Sequence, residues 1–469
     1  MTPRLTDDPA DAPAATPRRT SRELIASGLY SFADKGAALV FGFGTLWMLA
    51  RFLPKAQLGV WMFFTGVVAT LEVARAGLIQ NGMIRFLTSE PEAEHPGIHG
   101  GAALLNGGVA ALGAALLWFG GEALEQLFHY PGVAELTRIY AVTFLATTPL
   151  WQLNYVQQAH LEFRGAFWAT IIRYSALFAV TVAAFVGLVA VDADEMQLLR
   201  YLAWAQLAAA SLGALVSYRY ARPYLPAAWR FSRAWAGRLL GFGRYVFGTN
   251  LSSMLYKQVD QAMLGALLMG PVPGAVYGLA MRITNFVDVP TLAVASVVFP
   301  ESSRASVSDG PAAQARMYER AVAAILACVV PALLVVAILP GFIVQVVGGE
   351  AYAETIPVLQ LTVLYSLFIP FANQFGTLLD ASGRPQLNFA FTAAGMALNV
   401  LMNYVFISRL GIIGAPLGTL TTYVLTFAAM QTLLHRRYGV RLGRVFAEVP
   451  GMYARLFRVA SAKIRPALG

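Results

Sequence analysis

Twelve long apolar stretches follow one another along this sequence, with only short polar segments between them. A helix that crosses a bilayer needs about 20 mostly apolar residues, because lipid offers the backbone no hydrogen-bond partners. Only 13% of the 469 residues are charged, against about 25% in soluble domains. The pattern predicts an all-α polytopic membrane protein with about 12 transmembrane helices, near 28–50, 57–78, 99–119, 136–156, 167–190, 198–218, 245–268, 275–299, 322–347, 356–379, 387–408 and 411–434.

The basic residues between these stretches predict how the chain is oriented. With the N-terminus in the cytoplasm, the cytoplasmic segments hold 24 Lys and Arg residues and the outer loops hold five, as the positive-inside rule requires. We therefore expect both termini to be cytoplasmic. The net charge of +9 is explained by this topology and by anionic membrane lipids, so we expect no nucleic-acid partner. We expect no cleavable signal peptide, and the single cysteine, Cys328, excludes an internal disulfide.

Short segments recur at a spacing of about 220 residues. "PKAQLGVW" from Pro54 resembles "PGAVYGLA" from Pro273 at an offset of 219, and each opens the second span of a half. "SYRYARPYL" (217–225) resembles "HRRYGVRLG" (435–443) at an offset of 218, and a weaker third pair has an offset of 220. Three agreeing offsets predict a duplication into two six-helix lobes, which are parallel repeats around a central cavity.

The duplication divides the chain into five segments. They are a disordered cytoplasmic tail (1–23), an N-lobe (24–220), a cytoplasmic amphipathic linker (221–244), a C-lobe (245–434) and a basic cytoplasmic tail (435–469). The linker interleaves aromatic and basic side chains, which is typical of a helix that lies in the membrane interface. We favour the simpler interpretation that it joins the lobes and anchors to lipid.

Nine charged residues lie inside the predicted spans, where charge is costly and marks either a functional site or a buried pair. They are Asp34, Lys35, Glu72, Arg75, Arg173, Lys257, Asp260, Arg282 and Asp288. Lys257 and Asp260 are three residues apart and share one helix face, so they can neutralise each other or line a cavity, and we favour the cavity. Glu72 and Arg75 have the same spacing and are explained more simply as an ion pair that snorkels to the cytoplasmic interface.

Three segments carry a family resemblance: "GFGRYVFGTNLSSMLYKQVDQAMLG", "GAVYGLAMRITNFVDVPTLAVASVVFP" and "DASGRPQLNFAFTAAGMALNVLMNYVFISRLGIIGAPLGTL". They resemble polysaccharide flippases of the Wzx type, in the multidrug/oligosaccharidyl-lipid/polysaccharide exporter superfamily, over about residues 20–440. The resemblance implies that undecaprenyl-pyrophosphate-linked oligosaccharide moves from the inner to the outer leaflet of a bacterial inner membrane. It also implies roles in polysaccharide or lipopolysaccharide biosynthesis, with glycosyltransferase and polymerase partners.

Such a substrate needs buried cations for its pyrophosphate and amide or aromatic groups for its sugars. Candidates for the pyrophosphate are Arg282, Lys257, Lys35 and Arg173. Candidates for coupling to a proton or sodium ion are Asp260, Asp288, Asp34 and Glu72, and we expect no other cofactor and no metal cluster. Candidates for sugar contacts are Gln261, Asn285, Asn373 and Gln374, with Tyr256 and Tyr365 for stacking.

Two other functions stay open at this point. A cation-coupled multidrug or metabolite antiporter of the same superfamily would share the fold and the cavity. A membrane enzyme is disfavoured, because the sequence has no Gly-x-Gly-x-x-Gly motif and no nucleophile constellation. The longest outer loop, near 120–135, is also too short for a catalytic domain.

Overall fold

A computed structural model describes residues 21–187, 196–285 and 310–464, and these residues form helices and turns without a strand. The helices are α1 (Ser21–Phe52), α2 (Lys55–Ser89), α3 (His95–Phe128), α4 (Val133–Ala159), α5 (Arg164–Phe185), α6 (Gln197–Ala221), α7 (Arg233–Leu268), α8 (Pro271–Thr284), α9 (Gly310–Ile338), α10 (Pro340–Val347), α11 (Thr355–Ser366), α12 (Ile369–Ala381), α13 (Pro385–Leu410), α14 (Gly414–Tyr438) and α15 (Leu442–Ile464).

Seven helical stretches within these ranges are long and apolar enough to cross a membrane. They are Lys55–Ser89, Glu92–Phe128, Arg164–Phe185, Gln197–Tyr224, Ala312–Ile338, Thr355–Ala381 and Pro385–Tyr438, and the last contains both α13 and α14. The predicted polytopic all-α fold is therefore confirmed. Helices α4 and α7 are outside this set because they carry many polar side chains, among them Lys257 and Asp260 of α7. The number of twelve spans and the division into five segments stay predictions.

Three helix boundaries differ from the sequence-based expectation. The ninth predicted span (322–347) is two helices, because Pro340 starts the short helix α10 after α9 has ended. The tenth is likewise divided into α11 and α12, next to Pro370. The predicted linker (221–244) contains no separate interfacial helix. Its second half is the first three turns of α7, because Trp235 is buried against α2 and α3 and donates to Glu94 Oε2 at 3.0 Å.

Helices α2 and α7 form the main seam between the first and second halves of the chain, and glycines allow their backbones to touch. A Cβ on Gly243 of α7 would lie 1.9 Å from the backbone oxygen of Leu78, and one on Gly66 of α2 would lie 2.4 Å from Gln258 Oε1. Gly59 and Gly278, which occupy the same position in the two similar segments of the sequence, also lie between α2 and α8, against Pro271 and Met62. We call this contact the α2–α7 seam.

The two halves also meet by polar contacts at the end of the bundle that the sequence predicts to be the outer one. The Arg51 guanidinium donates to the backbone oxygens of Gln345 and Val346, at 2.8 Å each. The indole of Trp47 donates to the same Val346 oxygen at 2.7 Å. Lys55 Nζ lies 3.3 Å from Glu354 Oε1. These contacts, which we call the outer closure, join α1 and the start of α2 to α10 and the residue before α11.

The predicted basic tail is helical in its described part. Val445 of α15 is fully buried in a cluster with the start of α9, and the backbone N–H of Arg441 donates to Glu319 Oε1 at 2.8 Å. Phe446 and Tyr453 are exposed. Helix α15 is therefore docked on the bundle by one edge of its apolar face.

Candidate functional site

Asp260 is the most deeply buried of the described acids in the second half, with 2% of its surface exposed. Its carboxylate accepts hydrogen bonds from the Tyr277 hydroxyl of α8 and from Asn403 Nδ2 of α13. Thr419 Oγ1 of α14 donates to it at 2.8 Å. A buried carboxylate with no hydrogen-bond donors would be far more costly. Neutral donors from three other helices therefore surround the carboxylate of Asp260.

A second layer of amides holds these donors in place. Asn399 and Asn403 are four residues apart on α13, so their side chains face the same way. Asn403 Nδ2 also donates to Asn399 Oδ1 at 3.2 Å, and Asn399 Nδ2 donates to Thr419 Oγ1 at 3.0 Å. The Oδ1 atom of Asn403 is buried and has no hydrogen-bond partner. It lies against Gly418, where a Cβ would be 2.5 Å away.

Asp260 forms the floor of a cleft inside the second half. The cleft has a volume of about 30 Å³, which is room for a few water molecules. The lining residues are Tyr256, Lys257, Asp260, Met281, Thr284, Asn285, Tyr365, Ser366, Ile369, Thr419 and Tyr423. Three of the predicted site residues, Lys257, Asp260 and Asn285, are therefore brought together, and both predicted stacking residues join them.

Three tyrosines form the aromatic wall of this cleft. The rings of Tyr365 and Tyr423 are stacked, with centroids 5.7 Å apart and planes 12° apart. Tyr256 meets Tyr423 edge to face at 5.6 Å. The hydroxyl of Tyr277 lies 3.4 Å from that of Tyr365, so the aromatic wall touches the donors around Asp260. Such a wall can stack against a sugar ring or an organic cation.

The side chain of Arg282 points away from the cleft. Its neighbour Met281 and the capping residue Asn285 line the cleft, whereas Arg282 reaches towards α2. Its Nη2 atom lies 3.5 Å from Thr65 Oγ1, which is a weak contact. The guanidinium therefore lies between the two halves of the chain, beside the cleft but outside its lining.

Glu72 and Arg75 form the predicted ion pair, but Arg75 does not snorkel. Its side chain is 1% exposed, lies over the Phe144 ring at 4.3 Å and donates to Thr147 Oγ1 at 2.9 Å. Glu72 accepts from Thr147 and from the Tyr140 hydroxyl, each at 3.3 Å. The snorkelling interpretation is wrong, because α4 covers the pair and supplies its hydrogen bonds.

The other predicted residues lie apart from the cleft. Arg173 stacks over the Trp151 ring at 5.3 Å inside the first half. Gln261 is buried and donates to the Gly274 oxygen at 3.3 Å, which ties α7 to α8. Gln374 is buried in α12, and both polar atoms of its side chain have no hydrogen-bond partner; Asn373 beside it is exposed.

Three further candidates lie partly or wholly outside the described part of the chain. Asp34 and Lys35 lie in α1, and their side chains are outside the described residues, as is the whole of Asp288.

Four residues that surround Asp260 were not predicted, namely Tyr277, Asn399, Asn403 and Thr419, and neither was Tyr423 of the aromatic wall. The sequence could have predicted the two asparagines, because amides four residues apart in an apolar helix must find partners inside the protein. No sequence pattern points to Tyr277 or Thr419, since a lone tyrosine or threonine is common in apolar helices.

The side chains around Asp260 carry oxygen atoms of the kinds that small hard cations bind. Carboxylate, amide and hydroxyl oxygens are the ligands that such cations prefer. Asp260 supplies the charge, Thr419 and Asn399 supply further oxygens, and Asn403 Oδ1 is an acceptor that no donor uses. A protonated carboxyl group would fit the same place.

Comparisons with known proteins agree with this architecture. The model of the family described as "Polysaccharide biosynthesis protein" matches residues 48–357. The lipopolysaccharide biosynthesis protein WzxC of Escherichia coli K12 is 23% identical over 400 residues, which are 82% of this chain and 76% of WzxC. The structure of the lipid II flippase MurJ in an inward closed conformation superposes with a TM-score of 0.71 at 13% identity, over 92% of each chain.

A probable low-salt glycan biosynthesis flippase of Haloferax volcanii, Agl15, is 25% identical over 203 residues. That match spans 43% of this chain and about two fifths of the relative's own length. The likeness to MurJ shows the fold alone, and the family model covers about two thirds of the chain. The chain therefore belongs to the polysaccharide biosynthesis protein family, in agreement with the resemblance seen in its sequence.

Proposed function

We propose that this protein is a flippase that moves undecaprenyl-pyrophosphate-linked oligosaccharide from the inner to the outer leaflet by alternating access. One observation carries the proposal: a cleft inside the bundle combines a cation, an amide and an aromatic wall, in Lys257, Asn285 and the stacked Tyr365 and Tyr423. Family membership and a relative named as a probable glycan biosynthesis flippase support it.

Each part of the cleft suits one part of such a substrate. Lys257 would attract the pyrophosphate, and Arg282 would grip it from between the halves, because guanidinium binds phosphate oxygens in a bidentate way. Tyr256, Tyr365 and Asn285 would contact sugars. A cleft of about 30 Å³ is far smaller than an oligosaccharide, so the helices that line it must move apart before the substrate enters.

We infer further that transport is coupled to a proton or a sodium ion at Asp260. The cation would be held by the Asp260 carboxylate with oxygens of Thr419, Asn399 and Asn403. The Asn403 amide would turn over, because its Nδ2 atom now faces the carboxylate while its Oδ1 atom has no partner.

We also propose the cellular setting. The protein would lie in a bacterial cytoplasmic membrane with both termini on the cytoplasmic side. It would act as a transporter without an enzymatic step, after a glycosyltransferase and before a polymerase, and its basic cytoplasmic segments would contact anionic lipids.

A cation-coupled antiporter of drugs or metabolites is the second candidate. It is favoured by the aromatic wall directly above a buried acid, since organic cations bind to aromatic faces. Lys257 in the same lining argues against it, because a second positive charge there would repel such a substrate.

Reconstitution distinguishes the two candidates. The purified protein in proteoliposomes is supplied with undecaprenyl-pyrophosphoryl oligosaccharide in the inner leaflet, and sugar in the outer leaflet is measured with a lectin. Protein-free liposomes are the control. Appearance of sugar outside supports the flippase. A lipid that stays inside while a fluorescent organic cation exchanges for Na⁺ or protons supports the antiporter.

A further inference from the structure

The Tyr277 hydroxyl lies between the acid of the cation site and the aromatic wall of the cleft. Tyr277 is 1% exposed and is held in α8 by the close contact of Gly278 with Met62 of α2. It donates to Asp260, and its oxygen lies 3.4 Å from the Tyr365 hydroxyl. In the described part of the chain these are its two hydrogen-bonding contacts.

We propose that Tyr277 is a positioning residue that couples the cation at Asp260 to the shape of the substrate cleft. The proposal rests on the proposed cation-coupled transport and adds the residue through which the coupling acts. A tyrosine hydroxyl has one proton to donate. While Asp260 is free of a cation, that proton points to the carboxylate and Tyr277 can only accept from Tyr365.

A bound cation changes this arrangement. It takes the carboxylate oxygens as ligands and repels the polar hydrogen of Tyr277. The proton then turns to its other polar neighbour, the Tyr365 hydroxyl, which must become the acceptor. The Tyr277–Tyr365 pair therefore has two discrete hydrogen-bond arrangements, and the occupancy of Asp260 selects between them.

The change reaches the cleft because Tyr365 is part of its wall. Met281 Sδ, which lines the cleft, is the other acceptor for the one proton of the Tyr365 hydroxyl, and the Tyr365 ring stacks on Tyr423. Tyr423 in turn stacks against Phe368, with centroids 6.4 Å apart, next to the break between α11 and α12. A rotation of the Tyr365 hydroxyl can therefore change the packing of the Tyr365, Tyr423 and Phe368 rings, which lie next to the break between α11 and α12.

The test uses a reporter inside the cleft. Asn285 lines the cleft, and Cys328 is the single cysteine, so Asn285→Cys in a Cys328→Ser background gives one reactive thiol there. The rate of its labelling by a maleimide is measured with and without Na⁺, at constant pH and ionic strength, in the full protein. The Na⁺-induced rise in melting temperature reports binding separately.

In the reporter protein we expect Na⁺ to change the labelling rate about fivefold or more, the usual size of an allosteric coupling. Tyr277→Phe should keep the Na⁺-induced rise in melting temperature and lose the change in labelling. Tyr365→Phe should behave in the same way. Tyr318→Phe is the matched control, because Tyr318 is equally buried but contacts Phe371 and Gln431 in another cluster.

Two results separate the inference from the proposed function. If the reporter protein responds to Na⁺ and both variants respond equally, Tyr277 does not couple the sites and the inference is overturned. If the reporter protein shows neither a melting shift nor a labelling change with Na⁺, the sodium site itself is overturned, and the coupling falls with it. The lectin assay of lipid movement is unaffected by either result.

Discussion

Arg51 at the end of α1 binds the backbone oxygen of Val346 near the end of α10, across 295 positions of sequence. The carbonyl groups at a helix C-terminus carry partial negative charge, so a guanidinium is well placed there. This contact holds the first half of the chain to the second at the outer end. It forms the centre of the outer closure.

The first prediction concerns that closure. Arg51→Ala should shift the protein towards an outward-open state, because the carbonyls of Gln345 and Val346 lose their donor. Spin labels on cysteines introduced at Phe52 and Glu350, in a Cys328→Ser background, should report a longer distance. Arg138→Ala is the control, since Arg138 pairs with Glu122 within the first half. An unchanged distance distribution in Arg51→Ala would show that the closure does not depend on this contact.

The second prediction concerns the buried acid. Asp260→Asn should abolish the dependence of transport on the coupling cation, because the neutral amide binds a cation weakly and cannot take up a proton. Transport rates with and without an imposed Na⁺ or proton gradient measure this. Asp380→Asn is the control, because the Asp380 carboxylate also accepts from an asparagine, Asn388 Nδ2 at 3.0 Å, but lies outside the cleft. Gradient-driven transport by Asp260→Asn would remove Asp260 from the coupling site.

The third prediction concerns the two cations beside the cleft. Lys257→Ala and Arg282→Ala should each abolish movement of the pyrophosphate-linked lipid, while the protein still inserts and melts normally. Arg409→Ala, at the exposed end of α13, should transport like the wild type. Normal transport by both well-expressed variants would eliminate the proposed pyrophosphate site.

The fourth prediction concerns the glycine next to Asn403. Gly418→Ala should destabilise the protein by about 1–3 kcal/mol, the usual cost of overpacking, because its Cβ has no room between α13 and α14. The melting temperature measures this. Gly107→Ala provides a contrast, since no atom lies within 4 Å of a Cβ at that position in α3. That variant should be neutral or slightly stabilised, because alanine favours a helix more than glycine does. Equal melting temperatures of the two variants would contradict the close approach.

The fifth prediction concerns the ion pair of α2. Arg75→Ala should destabilise the protein by about 3–5 kcal/mol, because it leaves the Glu72 carboxylate largely buried without its partner. The double variant Glu72→Gln with Arg75→Gln should recover much of that loss. We expect the double variant to transport at nearly the wild-type rate, which would remove Glu72 from the coupling candidates. Loss of transport at normal stability would return it to them.

The sequence predicted the fold class well, because a membrane requires each span to be long and apolar. It singled out Lys257 and Asp260 by their charge and helix spacing and Asn285 as an amide candidate, and all three line the cleft. The cavity was expected between the two lobes, whereas this cleft lies inside the second half. It could not find Tyr277 or Thr419, since their roles depend on which helices meet beside Asp260. It also missed that Arg75 is covered by α4, because hydropathy shows where a helix lies in the bilayer and not which neighbours pack on it.

The α2–α7 seam has a consequence for the route of a lipid. Along this seam glycines let the helices touch backbone to backbone, and Trp235 extends the contact to α3 at the end that the sequence predicts to be cytoplasmic. A polyprenyl chain cannot pass between helices packed so closely. If the head group crosses between the halves, its tail must travel along the opposite side of the bundle. Under the proposed function, the tail of the lipid would therefore enter and leave away from this closely packed flank.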